Sequence, residues 1–370
     1  MRAEALSLRG FRTYEHAACS LGTGLTVIWG PNGSGKTNLL EALYVGCTGR
    51  SCRTPNDREL VRFGSDATRV ELRTADTAGG HRITVAYAPG QPKRMQIDGS
   101  PVERLLDASE RPLVSVFLPD RLDLVKGAPS LRRAHLDQFV AALWPARAQT
   151  RRSYAHALAQ RNALLTRIKA GFVAPASLDA WDQRLAQCGY ELMTDRSAAL
   201  DAMAETFADT AGRLALDGTP SVAYRPRSHA DTQAGLLAEL AERRDADIER
   251  GYSGHGPHRD DLVLKREGRE LSKYGSQGQQ RLALLALLLA EREVIAERRQ
   301  RTPLLLLDDV MSELDGARRS ALVELLSDTP GQVVITATDL EHVPGAEDPA
   351  AVRIHVADGQ LTQTEETSLA

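Results

Sequence analysis

Three periodicities follow one another along the chain. Ala5-Leu6-Ser7-Leu8 alternates, a turn follows through Arg9-Gly10-Phe11-Arg12, and Leu25-Thr26-Val27-Ile28-Trp29 is a short β-branched, apolar run; both runs predict strands. From Asn38-Leu39-Leu40-Glu41-Ala42-Leu43 the spacing becomes helical. Alternation returns at Thr68–Arg73 and Arg82–Tyr87 around Gly79-Gly80, which predicts a hairpin with one solvated face. Met95–Gly99 adds a strand end with its turn, and Val114–Leu118 a further buried strand.

Beyond Pro129 the period is helical for about a hundred residues. Pro145 is placed to start a helix and Pro175 lies in a connection. Tyr154, Ala157, Leu158, Leu164, Leu165 and Ile168 share one face. Leu178, Trp181, Leu185, Cys188 and Leu192 recur at three, four, three and four residues, a coiled-coil seam about two heptads long. The two stretches predict an antiparallel helix pair joined near Gly171. At roughly 25 residues and 1.5 Å of rise each, this makes an arm about 40 Å long; an ordinary helical subdomain has the same pattern.

Near Gly251 strands return. Asp261–Arg266, a Glu267-Gly268 turn and Glu270-Leu271 predict a hairpin, and a long apolar helix runs from about Gln279 to Arg299. Leu304–Leu307 and Gln332–Thr336 are continuous apolar or β-branched runs, as parallel strands covered on both faces are. The tail after Asp358-Gly359 is polar and is expected to fray. The expected fold is α/β: a head with a mixed sheet built from both chain ends, residues 1–120 and 250–370, and an inserted helical, short coiled-coil arm domain, residues 121–249.

Composition adds limits. A chain of 370 residues exceeds what one ordinary core organises. Cys19, Cys47, Cys52 and Cys188 lack CxxC spacing or a nearby histidine and read as thiols of a reducing compartment. The longest apolar run, Leu282–Ala290, is too short for a bilayer, and the N-terminus has no apolar leader segment, so a soluble cytoplasmic protein without a membrane partner is expected. The net charge of −3 argues against a nucleic-acid partner until it is resolved along the chain. Residues 121–170 carry ten Lys/Arg against two Asp/Glu, a net of +8, and residues 171–250 carry eight against fourteen, a net of −6. A basic segment followed by an acidic one fits a two-sided arm.

The chemistry concentrates in three places. Gly30-Pro31-Asn32-Gly33-Ser34-Gly35-Lys36-Thr37 fits GxxxxGK[ST] between a predicted strand and a predicted helix. That order turns loop amides and the positive helix end toward one point, where a polyphosphate belongs. Lys36 would reach the β and γ phosphates, and the Thr37 hydroxyl would ligate Mg²⁺. Leu304–Leu307 delivers Asp308 and Asp309 at its carboxyl end, Asp308 to hold Mg²⁺ and Asp309 to act as general base or to orient water. Ser276-Gln277-Gly278-Gln279 precedes the long apolar helix, with Ser276 a natural N-cap and Gly278 leaving an amide open, which makes a second anion-binding helix start. One polypeptide cannot readily aim both starts at one γ phosphate; a second copy can.

These elements, with Ser312-Glu313-Leu314-Asp315 after the paired aspartates, resemble the ABC-type ATPase heads of the SMC branch. The chain is most similar to the RecF family of recombination proteins. The resemblance is carried by Leu8, Phe11-Arg12 and Tyr14; by Gly30–Ala42; by Gly49-Arg50-Ser51 with Arg53-Thr54; and by Phe117-Leu118-Pro119, Leu124–Gly127 and Arg132-Arg133. Gly256-Pro257-His258-Arg259-Asp260-Asp261, Tyr274–Arg281 and Leu307–Asp315 complete it. It implies an ATP-dependent, DNA-binding repair protein, associated with the nucleoid, that dimerises head to tail around two ATP molecules. It further implies recognition of gapped, single-strand or junction DNA, and action with RecR and RecO to load RecA. By the same resemblance, Ser276 and Gly278 of one subunit would meet the phosphate held by Lys36 of the other, and Asp315 would couple the two sites.

Transporter-type heads usually have a glutamate where Asp309 stands, a histidine at Thr338 and a glutamine near Leu118-Pro119. The differences imply slow, DNA-stimulated hydrolysis with ATP as clamp and timer. For DNA, Arg132, Arg133, Arg147, Arg151, Arg152 and Arg161 are the candidates, although Arg132 and Arg133 would equally pair with the acidic half of the arm. His258-Arg259 would either hold the fold or touch DNA, and Arg12 with Tyr14 would either stack on adenine or pack. A small-molecule P-loop kinase and a structural SMC-like tether are the competing readings; the first has no use for Ser276–Arg281, and the second needs a longer coil.

Overall fold

The computed structural model describes residues 1–363 except Ala78, and they form two compact units, Met1–Arg121 with the chain from Ile295 onward, and Leu122–Val294. The strands, in chain order, are β1 (Arg2–Phe11), β2 (Tyr14–Ser20), β3 (Leu25–Trp29), β4 (Thr68–Asp76), β5 (Gly79–Tyr87), β6 (Arg94–Ile97), β7 (Ser100–Pro101) and β8 (Val114–Phe117). Then come β9 (Pro220–Arg225), β10 (Asp261–Arg266), β11 (Arg269–Glu270), β12 (Leu304–Leu307), β13 (Val333–Ala337), β14 (Val352–Ala357) and β15 (Gln360–Gln363).

The first unit holds two six-stranded sheets. One is antiparallel, in the order β2-β1-β4-β5-β6-β7. Its alternation is that of a sheet buried on one side: Leu6, Leu8, Val70, Leu72, Ile83 and Val85 point to the core, and Ser7, Arg9, Arg69, Arg73 and Arg82 point outward. The other is mixed, in the order β15-β14-β3-β13-β12-β8, with only the β14–β15 pair antiparallel. β12 and β13 are buried throughout, which accounts for their unbroken apolar sequence. The helix Lys36–Thr48 places Leu39, Leu40 and Leu43 in the core that both sheets share with Leu306, Val334 and Ile354. Burying each such leucine or isoleucine is worth about 1.5–3 kcal/mol.

Buried Gln332 joins the sheets. Its Oε1 accepts from the amide of Ala3 at 2.7 Å, and its Nε2 donates to the carbonyls of Ala3 and Gly22, so one side chain replaces a peptide group as a partner for β1. β2 was not expected, and β15 replaces the frayed tail as far as Gln363, because Asp358 (φ 49°) and Gly359 (φ 73°) turn it back onto β14. The expected fraying from residue 364 onward lies outside the described residues.

In the second unit the helices Ala148–Lys169 and Asp179–Asp201 pair as expected. Arg147 meets Asp195, Arg161 meets Asp182, and Ile168 packs with Leu178, an order that only antiparallel helices give. The pair is not a bare two-stranded seam: Leu236 and Leu240 of the helix Gln233–Glu242 pack into its core beside Tyr154, Leu185 and Leu192. β9 lies in the stretch expected to be wholly helical. It pairs antiparallel with β10 and so draws the 261–271 hairpin into this unit rather than into the head with which residues 250–294 were grouped.

Candidate functional site

The loop Gly30–Lys36 follows β3 and opens the helix Lys36–Thr48. Gly30 (φ 148°) and Gly35 (φ 114°) have backbones that side chains rarely adopt. A Cβ on Gly30 would also lie 2.1 Å from the Val356 carbonyl oxygen, so β14 fixes that glycine as firmly as the loop does. Tyr14 is fully buried below the loop and donates its hydroxyl to the Gly35 carbonyl at 2.9 Å; it packs and is not placed to stack on a base. Arg12 is also engaged, through a bidentate pair with buried Glu41 at 2.8 and 2.9 Å. Arg53, 3.3 Å away, and the Ser51 hydroxyl converge on the same carboxylate. Glu41 thus ties the helix behind the loop to residues the sequence showed only as scattered resemblances.

Lys36 is nearly buried and donates to the carbonyls of Gly30 and Pro31 at 2.7 and 2.9 Å. Burial lowers its pKa, while the charges of Asp309, Asp308 and Asp339 oppose that shift. The Ser34 hydroxyl has no hydrogen-bond partner among the described residues. Thr37 Oγ1 lies 3.0 Å from both carboxylate oxygens of Asp308, and Thr336 Oγ1 donates to Asp308 Oδ1 at 2.7 Å. The parallel register explains the convergence: Leu307 stands opposite Ile335, so Asp308 and Thr336 leave neighbouring strand ends together. Burial raises the Asp308 pKa, partly offset by the two threonine hydrogen bonds. Asp309 holds φ at 44°, a left-handed conformation costly for a non-glycine residue, and its amide donates to Thr336 Oγ1 at 2.9 Å. Thr336 was missed as a site residue; its position beside the aspartate-bearing strand was the available signal. Thr37 and Asp308 offer the hard oxygen donors that Mg²⁺ prefers, next to the loop.

In the second unit Ser276 and Gln279 form a reciprocal cap. The Gln279 amide donates to Ser276 Oγ at 3.3 Å, and the Ser276 amide donates to Gln279 Oε1 at 2.9 Å, which fixes the start of the helix Gln277–Arg299. Gly278 has almost empty space where a Cβ would point. Asp315 caps the helix Gly316–Asp328 through the Arg318 amide at 3.0 Å.

The arginines proposed for DNA divide. Arg132 is buried in a bidentate pair with Asp261 at 2.7 and 2.9 Å, and Arg161 is fully buried between Asp182 and Asp247 at 2.6 and 2.7 Å; neither presents a free cation to DNA, because each neutralises carboxylates inside the unit. Arg133 donates to the Asp260 carbonyl at 2.7 Å. Arg147 lies over the Trp144 ring and meets Asp195, Arg151 meets Asp137, and Arg152 is exposed. His258 settles on its structural role: Tyr154 donates to its Nδ1 at 2.7 Å, its Nε2 donates to the Ser253 carbonyl at 3.0 Å, and burial lowers its pKa to about 4.

A basic feature absent from the sequence reading lies on the outer face of the antiparallel sheet. Arg9 stands opposite Arg69, Arg73 opposite Arg82, and Arg94 pairs with Ala86 on the next strand; all five arginines are exposed. Like charges directly opposite one another cost stability. Glu71, 3.4 Å from both Arg69 and Arg82, offsets part of that cost.

The comparisons agree with this architecture. The family described as the RecF/RecN/SMC N terminal domain matches residues 3–361. A DNA replication and repair protein RecF from Heliobacterium modesticaldum is 35% identical over 374 residues, covering 99% of this chain and 100% of its own. Among solved structures, the recombination mediator protein RecF-ATP of the RecFOR pathway superposes with a TM-score of 0.85 at 26% identity, covering 98% of each chain. An SmcHead bound to the C-winged helix domain of ScpA shares the fold, with a TM-score of 0.61 at 16% identity over 99% of this chain and 98% of its own. With the glycine loop, the paired aspartates and the capped signature helix each in its expected element, the chain belongs to the RecF family of SMC-like ABC-type ATPases.

Proposed function

We propose that this chain is an ATP-dependent DNA-binding protein of recombinational repair and replication-fork maintenance. The observation that carries the nucleotide reading is Thr37 Oγ1 held 3.0 Å from both oxygens of Asp308 beside the loop that seats Lys36. ATP would lie along Gly30–Thr37, with Lys36 exchanging its two loop carbonyls for phosphate oxygens. Mg²⁺ would supply charge neutralisation between the phosphates, held by Thr37 and Asp308. Asp309 is the acid-base residue, and its one-methylene-shorter reach accords with slow, DNA-stimulated hydrolysis that serves as a switch.

The open amide of Gly278 behind the Ser276–Gln279 cap suits a γ phosphate presented by a second copy, so ATP drives a homodimer, with Asp315 in the coupling role. Gapped or junction DNA is the partner class. The outward arginine pairs of the antiparallel sheet support it, since a repulsive arrangement of this kind gains stability when phosphates are added. RecR and RecO are the protein partners in this reading, with RecA loading downstream; the RecFOR pathway named for the solved relative supports the first two.

Sedimentation of the wild type, Lys36→Ala and Ser276→Arg with ATP and gapped DNA tests the core of this reading. Dimers are expected for the wild type alone, with Ser276→Arg still binding ATP as a monomer. Normal dimerisation of Ser276→Arg removes the two-copy site.

A further inference from the structure

A surface cavity of about 470 Å³ lies between the paired helices of the second unit. Its lining is Gln149, Arg152, Ser153 and His156 from the helix Ala148–Lys169, and Trp181 and Arg184 from the helix Asp179–Asp201. The spacing places the first four on one helical face at i, i+3, i+4 and i+7, and the other two one turn apart on the facing helix.

Trp181 is half-buried and packs, with Leu158, against the core that contains Leu185, and His156 meets it edge-on at 5.9 Å between ring centroids. Arg152 and Arg184, both exposed, bring a cation from each helix, and Arg184 is steadied by Gln187 Oε1 at 2.9 Å. Gln149 and Ser153 add neutral donors and acceptors. A half-buried indole, two guanidinium groups and amide and hydroxyl groups in a cavity of this size match one unit of a nucleic-acid strand: a base to stack, phosphates on either side, and edges to bond.

We propose that this cavity captures an unpaired nucleotide of single-stranded DNA, with the base on Trp181 and the flanking phosphates on Arg152 and Arg184. A base inside a duplex has no free face to offer, so the cavity discriminates single strand from double strand. The inference rests on the DNA-binding reading above and assigns the single-stranded part of a gapped substrate to these six residues.

The test is anisotropy titration of the full chain with Mg-ATP, using labelled oligo-dT and, separately, a blunt duplex, across a salt series. Trp181→Ala should weaken oligo-dT binding roughly 5- to 100-fold, Trp181→Phe should retain most of the affinity, and duplex binding should be unchanged in both. Arg152→Ala/Arg184→Ala, a surface double variant, should weaken oligo-dT and lower its salt slope by roughly 1.4, the amount for two single-strand phosphate contacts. Far-UV circular dichroism and the melting curve of each variant serve as the folding control. Wild-type oligo-dT affinity in Trp181→Ala and the double variant overturns the cavity assignment, as does equal loss of oligo-dT and duplex. A wild type that binds neither DNA sinks the DNA reading itself, a result distinct from the other two.

Discussion

Arg161 decides between two accounts of the second unit. As an arginine in a basic segment it is a candidate DNA contact; in the fold it is fully buried, with Nε on Asp182 at 2.6 Å and Nη1 on Asp247 and the Ser253 hydroxyl at 2.7 Å. Arg161→Ala leaves two carboxylates inside the unit with reduced compensation. Removing one partner of a buried pair costs about 3–5 kcal/mol. Here the low end applies, because Asp182 keeps Arg244 at 2.6 Å and Asp247 keeps the Gly254 amide at 2.9 Å, while Nη2 of Arg161 has no partner among the described residues and so no bond to lose. The expected loss is therefore about 3 kcal/mol, or a melting shift of about 6–12 °C if the unit melts as one domain. Urea titration followed by circular dichroism measures it, and Arg161→Met combined with Asp247→Asn should recover part of it, since one charge of each sign is gone. DNA affinity measured well below the transition should match the wild type. A variant as stable as the wild type but deficient in DNA binding would refute the burial argument.

Two further predictions concern protons. The Asp308 pKa is raised chiefly by burial, so its carboxylate takes up a proton at higher pH than an ordinary aspartate, and Mg²⁺-dependent ATP affinity should decline as pH falls through that raised value. Calorimetry on Asp308→Asn should show weaker binding with that decline absent; the same pH profile in both proteins would assign it to another group. His258 titrates near 4 in the fold against 6.5 as its ordinary value. Because the unfolded state takes the proton first, the stability contributed by neutral His258 is complete above 6.5 and is lost as pH falls from about 6.5 to 4, at most about 3 kcal/mol. Denaturation midpoints for the wild type and His258→Gln should converge across that interval; parallel curves would contradict it.

The candidate nucleotide site is legible in the sequence because its chemistry is local. Gly30–Thr37 and Leu304–Asp309 each combine a strand with the residues at its end, so a short window contains both the element and the function. Thr336 and Glu41 escaped for the opposite reason: one is defined by parallel register and the other by convergence of Arg12, Ser51 and Arg53 from three segments. The arm arginines show the limit of counting charge. The basic excess of residues 121–170 is real, yet Arg132 and Arg161 spend it on Asp261, Asp182 and Asp247, which lie far along the sequence. Conversely, Arg9, Arg69, Arg73, Arg82 and Arg94 form no cluster in the sequence and only pairing brings them to one face. β9 was unreadable because its partner, β10, begins only at Asp261, beyond the helices Gln233–Glu242 and Arg244–Arg250.

The position of β3 has a consequence for how the protein is made. Its two neighbours are β13 and β14, so the strand that carries the glycine loop is flanked only by segments synthesised about 300 residues after it. At roughly 5–20 residues per second, a ribosome takes about 15–60 s to supply them. Through that interval β3 lacks its sheet partners and Gly30 lacks the Val356 carbonyl that sets its geometry. Nucleotide affinity is thus a property the chain acquires at the end of translation, and ATP binding reports that both ends of the polypeptide have met.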